Sequence, residues 1–389
     1  MRATSPTWST IVPAPDVVFV QTALADYRQS VLEELIAACD GDFVALSGER
    51  YFDPSVETRV DLGNSHRVVD NRFLVGRRLL WQRSVLGVAV RGDVAVLELN
   101  PRILSTWAIL IGRRLFGKQS VLWGHAWSRS GRRPLSSLVR RLLWSLAGVV
   151  VMYTRAQAEE AASTGTGALV FAAPNALYRR SVIRAGGDRP GGFLIVARLV
   201  DDKKPLLALN GFLAALDGLV DEDRRLVFVG DGPLRHPLEN AVAASGARRC
   251  VSFLGHVGNL AALRDAYDRA LASVSPGYVG LSIVQSISFG VPMVVAQHEP
   301  HSPEIEAARA GINCVYFRSD DVDALAEALV DVSEERGAWI ARRPEIASAC
   351  SNEYSVESMA GGLLSAIASA RQGRRTQTGS VEIPKGAGG

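Results

Sequence analysis

The chain has 389 residues, of which 48% are hydrophobic and 21% are charged, and its formal net charge is +3. This composition is that of a globular protein and excludes a largely disordered chain, while the length suits two domains of roughly 150 to 200 residues each. The cysteines are scattered without CxxC or Cys/His spacing, so neither a zinc site nor a disulfide framework is indicated. No segment with the pattern of a signal peptide opens the chain, and we expect a protein of the reducing cytoplasm.

The N-terminal part, residues 1–183, predicts a Rossmann-like α/β domain. Apolar runs of strand length alternate there with helical stretches, which is typical of a parallel sheet covered by helices on both faces. These runs are Asp16–Val20, Phe43–Leu46, Val94–Leu97, Ser120–Trp123 and Gly148–Met152.

Charge is unevenly distributed in this part of the chain. No acidic residue falls between Glu98 and Glu159, whereas basic residues recur, most densely from Arg113 to Arg141. A solvated face is the ordinary explanation of such a run, and an anionic partner, either a phospholipid surface or a phosphate-linked acceptor, is the more specific one. Nucleic acid is disfavoured, since no nucleic-acid-binding motif accompanies the basic residues. We therefore hypothesise peripheral attachment to the inner face of the cell membrane.

The same alternation restarts after a glycine-rich segment, residues 184–192, which predicts an interdomain linker. Residues 193–354 then predict a second doubly wound domain, followed by a last helix at about 355–371 that packs back on the first domain and by a disordered tail at 372–389. Two such domains are expected to bind ligand at the carboxyl ends of their strands, where they face one another across a cleft. The predicted strands are Phe193–Ala197, Arg225–Val229, Val251–Leu254, Leu271–Val274, Pro292–Ala296 and Asn313–Tyr316.

The segment Ser275–Val294 predicts a loop that opens a helix and ends at a buried strand. It resembles the donor-sugar signature of the GT-B retaining glycosyltransferases of family 4, in which two glutamates stand eight positions apart. Gly277 and Gln285 occupy those two positions here. The resemblance covers residues 193 to about 330 well and 120–180 loosely. It implies a GT-B fold of two Rossmann-like domains, in a divergent subgroup that lacks both signature glutamates.

The resemblance assigns Arg198 and Lys203, in the segment Val196–Pro205, to the catalytic centre. A departing nucleoside diphosphate develops negative charge, and a site without a metal ion needs fixed cations aimed at it. Lys204 is the second candidate for the role of Lys203, if the match to the family's segment is shifted by one residue. Two cations at a helix start oppose the helix dipole, so a purely structural origin is the weaker explanation.

Further segments are similar to the family's nucleotide-binding elements. A Gly-Asp-Gly turn and a Phe-Leu-Gly-His strand end are expected to shape the nucleotide pocket, and N–H groups at the helix opening to bind the diphosphate. Gln285 can accept from one ribose hydroxyl and donate to another, whereas Gly277 offers the donor sugar only a backbone amide. The residues assigned to donor binding are Gly230, Asp231, Gly232, Gly255, His256, Gly277, Gly280, Leu281, Ser282, Gln285 and Glu304.

Two assignments are more open. Glu304 or Glu306 is hypothesised to compensate partly for the missing glutamates. His125, just past a predicted strand of the N-terminal domain, is the third residue assigned to catalysis, because families of this fold often carry a histidine at this strand end near the donor sugar. A lone histidine is also often structural. No metal site is expected.

These patterns favour a retaining, metal-independent hexosyltransferase whose nucleotide-sugar donor is a substrate, so that no cofactor is expected. Its acceptor would be a glycan or a lipid-diphosphate-linked molecule in polysaccharide or glycolipid synthesis. The alternative is a catalytically weakened GT-B protein that acts as a binding or scaffold partner in glycan assembly, which the absence of both glutamates supports. A sugar-nucleotide epimerase is disfavoured by the few acid/base groups in the C-terminal half, and a dehydrogenase by the lack of an early G-x-G-x-x-G. The sugar, the base, the acceptor and the oligomeric state are not readable from the sequence.

Overall fold

The computed structural model describes residues 15–39, 42–54, 56–127, 134–187, 189–373 and 381–382. These residues fall into two compact units. Unit 1 takes those within 15–152, 158–171 and 362–382, and unit 2 takes those within 153–157 and 172–361. No helix in the described part of the chain is long and apolar enough to cross a membrane.

Strands and helices alternate along most of the chain. The strands are β1 (Val17–Gln21), β2 (Phe43–Ser47), β3 (His66–Val68), β4 (Asn71–Leu74), β5 (Leu79–Gln82), β6 (Val94–Glu98), β7 (Ser120–Gly124), β8 (Gly148–Met152), β9 (Leu169–Ala172), β10 (Phe193–Val196), β11 (Leu226–Val229), β12 (Val251–Gly255), β13 (Ala272–Ser275), β14 (Met293–Ala296), β15 (Cys314–Phe317) and β16 (Val381–Glu382). The α-helices are α1 (Gln29–Ala38), α2 (Val85–Arg91), α3 (Leu104–Leu115), α4 (Pro134–Ala147), α5 (Arg155–Ser163), α6 (Pro205–Ala215), α7 (Arg235–Ala244), α8 (Leu260–Asp268), α9 (Ser282–Ser288), α10 (Val322–Glu334), α11 (Arg336–Glu353) and α12 (Val356–Gln372).

The sheet of unit 1 has the strand order β16-β9-β8-β7-β6-β1-β2-β3. Strands β1, β2, β6, β7 and β8 pair in parallel, and β1, β6 and β7 are buried along their whole length. Burial on both faces explains why these strands are continuous apolar runs. All five predicted strands are present, and the pattern missed the short strands β3 and β16, the antiparallel hairpin of β4 and β5, and β9.

The sheet of unit 2 has the order β12-β11-β10-β13-β14-β15, with parallel pairing throughout. Its six strands coincide with the six predicted runs to within one residue at either end. Phe193, Phe212 and Phe228 are fully buried in its core, and Asp321 caps α10 by accepting from the Ala324 N–H at 2.8 Å. Two doubly wound parallel sheets with covering helices confirm the predicted α/β class.

The predicted linker, residues 184–192, falls within unit 2, because the described residues from 172 to 361 all belong to that unit. The Gly191 N–H donates to the Arg269 carbonyl at 2.8 Å, and the Gly192 N–H donates to the buried Asp223 carboxylate at 3.2 Å. A Cβ on Gly191 or Gly192 would lie 2.4 Å from a carbonyl oxygen of unit 2. These glycines therefore allow close packing, not the flexibility of a linker.

The last helix, α12, crosses the boundary between the units. Its residues from 362 onward group with unit 1, where Arg371 pairs with Asp16 at 2.9 Å and with Asp93 at 3.0 Å. Of the predicted disordered tail, 372–389, the structure describes 372–373 and 381–382, and the remaining positions lie outside the described residues. Strand β16 within it pairs in parallel with β9.

Arg113, the first residue of the predicted basic surface, is fully buried. Each of its five N–H donors has an acceptor, which is the full donor capacity of a guanidinium. Burial lowers its pKa to about 10, with Asp93 acting in the opposite direction, so the group is still protonated at neutral pH. Arg113 is therefore not part of a charged surface, and Arg129, Arg132 and Arg133 lie outside the described residues. Its acceptors, at 2.6 to 2.9 Å, are Ser120 Oγ and the carbonyls of Ala89, Gly92, Asp93 and Gln119.

Candidate functional site

The candidate site of unit 2 lies at the carboxyl ends of β10 and β13. The strand order reverses between these neighbouring parallel strands, because β11 and β12 follow β10 on one side and β14 and β15 follow β13 on the other. Doubly wound sheets bind their ligands in the crevice at such a switch point. A cavity there is lined by the end of β10 and by Lys203, Tyr267, Ser275, Tyr278 and Ser282.

Lys203 is held in this cavity by Tyr278. Its Nζ donates to the Tyr278 carbonyl oxygen at 2.7 Å and lies 4.5 Å from the centroid of the Tyr278 ring. The Tyr278 N–H donates in turn to the Asp202 carbonyl at 2.8 Å. The turn Asp201–Lys203 and the loop after β13 are therefore joined, and a carbonyl dipole and an aromatic face place the ammonium group.

Gly277 has no room for a side chain. An added Cβ would lie 2.3 Å from the Asp202 carbonyl oxygen and 2.8 Å from the Lys203 carbonyl carbon. Protein interiors are close-packed, so contacts this short can be relieved only by moving one of the two backbone segments. The backbone of the turn Asp201–Lys203 thus fills the space that any side chain at position 277 would need.

The geometry favours Lys203 over its neighbour in the sequence. Lys204 has a φ of +47°, and its Nζ pairs with Glu299 and Asp320, both at 2.6 Å. Burial lowers the pKa of Lys204, but the hydrogen bonds and charges of Asp320 and Glu299 outweigh it and leave that pKa raised. Lys203, and not Lys204, lines the cavity. Arg198 is exposed and forms no ion pair with any residue that the structure describes, so its catalytic role stays a prediction.

Gln285 joins two tyrosines. Its Oε1 accepts from the Tyr267 hydroxyl at 3.2 Å, and its Nε2 donates to the Tyr178 hydroxyl at 3.0 Å. Both tyrosine rings pack on Phe289, with centroid distances of 4.9 and 5.3 Å, and burial raises the pKa of both hydroxyls. An amide suits this place because it can accept and donate at once. The side chain expected to hold the ribose is thus oriented by protein partners.

The Gly-Asp-Gly turn after β11 packs tightly on the segment that follows β10. A Cβ on Gly230 would lie 1.8 Å from the Ala197 carbonyl oxygen, and one on Gly232 would lie 2.5 Å from that of Leu199. Both glycines have positive φ, which other residues rarely adopt. Asp231 between them is exposed and accepts from the Gly232 N–H at 2.7 Å.

The strand end at Gly255 is linked to this turn. Gly255 accepts from the Gly230 N–H at 2.8 Å and has a φ of +69°, which favours glycine. His256, the next residue, is exposed. The structure thus brings the turn and the strand end together, while the role of these residues in shaping a nucleotide pocket stays a prediction.

The helix predicted from about Leu281 begins one residue later, at Ser282, and has seven residues. Ser282 lines the cavity beside Lys203. Gly280 lies in the loop before the helix, and a Cβ added to it would meet no backbone atom at close range. The nearest atom would be a ring carbon of Tyr278, at 3.6 Å. The backbone N–H groups of Gly280, Leu281 and Ser282 remain the predicted diphosphate contacts.

His301 holds the loop between β13 and α9 through both nitrogens of its ring. Its Nδ1 accepts from the Val279 N–H at 3.0 Å, and its Nε2 donates to the Ala296 carbonyl at 2.8 Å. Burial lowers the pKa of His301, which agrees with a neutral ring that has one acceptor nitrogen. The loop between β13 and α9 is therefore fixed from two sides, by Lys203 and by His301.

Glu304 and Glu306 are both engaged elsewhere in unit 2. The buried Glu304 carboxylate accepts from Asn175 Nδ2 and from Ser302 Oγ. The Glu306 carboxylate accepts from the first two N–H groups of α5, at 2.9 and 3.0 Å. Burial raises the pKa of Glu306, and these N–H groups act in the opposite direction. Neither carboxylate lines the cavity, so the geometry does not favour the hypothesis that one of them replaces a missing glutamate.

His125 directly follows β7, at the carboxyl end of a strand of unit 1. Its carbonyl accepts from Arg140 at 3.0 Å, and the residue is half-buried. Strand ends at this edge of a parallel sheet are where ligand contacts occur in this class of fold. The position agrees with the prediction, and the catalytic role stays a prediction.

Sequence reasoning missed several residues of the site, among them Tyr267, which lines the cavity and donates to Gln285. Tyr278 places Lys203, His301 fixes the loop, and Tyr178 contacts Gln285. Only Tyr278 could have been suspected from the sequence, as the aromatic residue directly after Gly277. Tyr178 and His301 contact residues that lie 107 and 22 positions away in the chain. Contacts of this range depend on tertiary structure and not on local pattern.

Known proteins resemble this chain in part of its sequence and in its fold. Residues 191–335 match the family model described as glycosyl transferases group 1. No curated protein sequence matches the chain. Among solved structures, Anabaena HepE in complex with UDP is similar at 15% identity and a TM-score of 0.64, over 91% of this chain and 100% of that chain.

Two further structures are similar over almost the whole chain. The lipopolysaccharide outer core galactosyltransferase WaaB has 14% identity and a TM-score of 0.59, over 91% of this chain and 99% of that chain. Sucrose-phosphate synthase from Thermosynechococcus elongatus has 16% identity and a TM-score of 0.60, over the same shares of 91% and 99%. The chain thus has the GT-B fold of these structures, which confirms the predicted fold class.

Proposed function

We propose that the protein is a retaining glycosyltransferase of hexosyltransferase type that uses a nucleotide-sugar donor and no metal ion. The match of residues 191–335 to group 1 glycosyltransferases supports the reaction class. The neighbour HepE binds UDP, and another neighbour is a galactosyltransferase, which supports a nucleotide-sugar donor.

One observation carries the proposal. The ammonium group of Lys203 is fixed by Tyr278 in the cavity at the switch point of unit 2. A nucleoside diphosphate that departs there develops negative charge, and a preorganised cation stabilises it without reorganisation. Attack by the acceptor from the face that the diphosphate leaves needs no nucleophile from the protein. The closed position at Gly277 therefore removes a sugar contact and no reacting group.

Nucleotide release from a panel of nucleotide sugars, followed by mass spectrometry, tests the proposal. We expect Lys203→Met to lower turnover by about 100-fold, in line with the removal of one charge-stabilising donor. Arg248→Met is the matched control, because Arg248 is an exposed cation directly before the amino end of β12, at the other end of the sheet. Equal turnover of Lys203→Met and wild type would exclude the proposed role.

Two further measurements separate the finer parts of the proposal. We expect EDTA to leave the rate unchanged, and a loss that Mg²⁺ restores would contradict metal independence. NMR of the first product gives the anomeric configuration, which is expected to be that of the donor. An inverted product would contradict the retaining mechanism.

We propose that the acceptor is a glycan or a lipid-diphosphate-linked molecule, in polysaccharide or glycolipid synthesis at the inner face of the cell membrane. The neighbouring lipopolysaccharide core galactosyltransferase supports an acceptor of this class. Turnover with free and lipid-linked acceptors, with products identified by mass spectrometry, distinguishes the two.

A scaffold function in glycan assembly is the second candidate. It is favoured by the absence of a side chain at Gly277 and by the engagement of Gln285 with two tyrosines. Calorimetry with nucleoside diphosphates, combined with the release assay, separates the candidates. A protein that neither binds nor releases nucleotide would favour the scaffold.

A further inference from the structure

A set of large apolar side chains lies exposed on neighbouring helices of unit 1. Leu115, at the end of α3, is 80% exposed, Phe116 directly after it is 72% exposed, and Leu138 on α4 is 65% exposed. Soluble monomers rarely expose a contiguous apolar patch without a partner for it. We call this set the α2–α4 surface, and its members are Leu86, Ile111, Leu115, Phe116, Leu138, Val139 and Leu142.

The topology places these helices side by side. Helix α3 connects β6 to β7 and α4 connects β7 to β8, and the three strands are neighbours in that order. Crossovers between parallel strands are right-handed, so both helices cover the same face of the sheet. Helix α3 packs against α2 on one side and α4 on the other. The exposed side chains therefore share the outer surface of one helical layer.

The spacing within the helices gives the same result. Ile111 and Leu115 on α3, and Leu138 and Leu142 on α4, are four positions apart, which puts each pair on one face of its helix. In both helices the opposite face is buried in the core of unit 1, for example at Ile109 and Leu143. Both helices are therefore apolar on the face toward water as well as on the face toward the core.

The charges of this layer all have one sign. Helices α2, α3 and α4 contain no Asp or Glu, and Arg91 and Arg114 are exposed at the ends of α2 and α3. Helices that face only water usually carry both signs of charge. An apolar surface edged by arginine is instead typical of helices that lie in the interface of a membrane.

We propose that the α2–α4 surface docks the protein on an anionic phospholipid bilayer. Leu115 and Phe116 enter the boundary between head groups and acyl chains, and Arg91 and Arg114 meet lipid phosphate groups. A second copy of the chain fits less well, because a two-fold contact would bring the arginines of both copies together. The inference does not rest on the transferase proposal, since none of these residues is assigned to the donor site.

Flotation of the full chain with vesicles tests the surface. One vesicle preparation contains phosphatidylcholine alone, and the other contains phosphatidylcholine and phosphatidylglycerol in equal parts. We expect wild type to float with the anionic vesicles, and Leu115→Ser combined with Phe116→Ser to bind them at least tenfold more weakly. Arg114→Gln is expected to lower binding about fivefold on anionic vesicles only.

Leu254→Ser is the matched control, because Leu254 on β12 is 54% exposed but belongs to unit 2. Binding by this control equal to wild type supports the assigned surface. No flotation of wild type, or equal losses in Leu254→Ser and in the double variant, would overturn the proposal. Light scattering tests the other possible occupant, a second copy of the chain. If wild type is a dimer, and the double variant is a monomer that still binds vesicles as wild type does, the surface belongs to a second copy. None of these measurements requires a nucleotide sugar.

Discussion

The carbonyl oxygen of Asp202 lies 2.3 Å from the place that a Cβ on Gly277 would take. The Tyr278 N–H donates to the same oxygen at 2.8 Å, so this carbonyl also holds the loop that contains the glycine. Position 277 therefore has no space for a side chain. The turn Asp201–Lys203 fills that space, and the packing of the two segments depends on the glycine between them.

We expect Gly277→Glu, which introduces the residue found at this position in the signature that the segment resembles, to lower stability and activity together. The two backbone segments must separate to admit the side chain, and overpacking of this kind costs about 1–3 kcal/mol. Urea unfolding measures the stability, and nucleotide release measures the activity. Gly337→Ala in α11 is the control, because no atom lies within 4 Å of its added Cβ, and it is expected to stabilise by up to about 1 kcal/mol. A Gly277→Glu protein as stable as wild type would contradict the packing.

We expect the ring of Tyr278 to contribute to the position of Lys203. Tyr278→Phe keeps both the aromatic face and the backbone carbonyl, so its turnover should match wild type. Tyr278→Leu keeps only the carbonyl, and a lost cation–π contact of about 0.5 to 2 kcal/mol should lower kcat/KM for the donor by about two- to thirtyfold. Equal values for the Leu and Phe variants would show that the ring does not position the lysine.

We expect Gln285→Glu to change nucleotide affinity more than the chemical step. A carboxylate accepts from both tyrosine hydroxyls, whereas the amide donates to Tyr178, and it adds a negative charge at the predicted nucleotide site. Binding of nucleoside diphosphate should weaken about three- to tenfold, and kcat should change by less than about twofold. Titration calorimetry and steady-state kinetics measure the two effects. Equal affinities of variant and wild type would be evidence against this role of Gln285.

We expect the stability of unit 2 to depend on pH through His301. Burial lowers the folded-state pKa of His301 below its usual 6.5, so the unfolded chain takes up the proton first as the pH falls. The stability that the neutral ring contributes is complete above that value and is lost as the pH falls toward the folded-state pKa. The slope is at most about 1.4 kcal/mol per pH unit for this single proton.

His301→Gln removes this titration and leaves the other histidines in place. The difference in free energy of unfolding between wild type and His301→Gln should therefore narrow between about pH 7 and about pH 5. Urea unfolding at a series of pH values measures it. Parallel profiles for the two proteins would mean that His301 does not titrate in this range.

Much of the fold was predictable because most of the strands are continuous apolar runs, as buried strands require. The six strands of unit 2 are mainly apolar runs of a parallel sheet, most fully buried at β10, β13 and β14, and each was located to within one residue. Strands β3, β4 and β5 escaped because their partly exposed residues mix apolar and polar side chains. A half-exposed strand needs its neighbour to be recognised, and the neighbour is not visible in a local pattern.

The site was predictable in part for a similar reason. Lys203 follows from the motif that contains it, and the structure places it in the cavity. The burial of Arg113 was not predictable, since its acceptors come from two separate segments of the chain, Ala89–Asp93 and Gln119–Ser120. The closed space at Gly277 was not predictable either, because a glycine in a sequence does not reveal which backbone lies against it.

The five hydrogen bonds of Arg113 also fix the orientation of α3 about its own axis. A helix with apolar residues on its outer side could in principle roll about its axis and hide them. Arg113 prevents such a rotation, because turning α3 would strip a buried guanidinium of acceptors from α2, from the segment after it and from β7, and each such loss costs about 1 to 3 kcal/mol or more. Ile111 and Leu115 are therefore kept toward the outside by a residue that never reaches the surface itself.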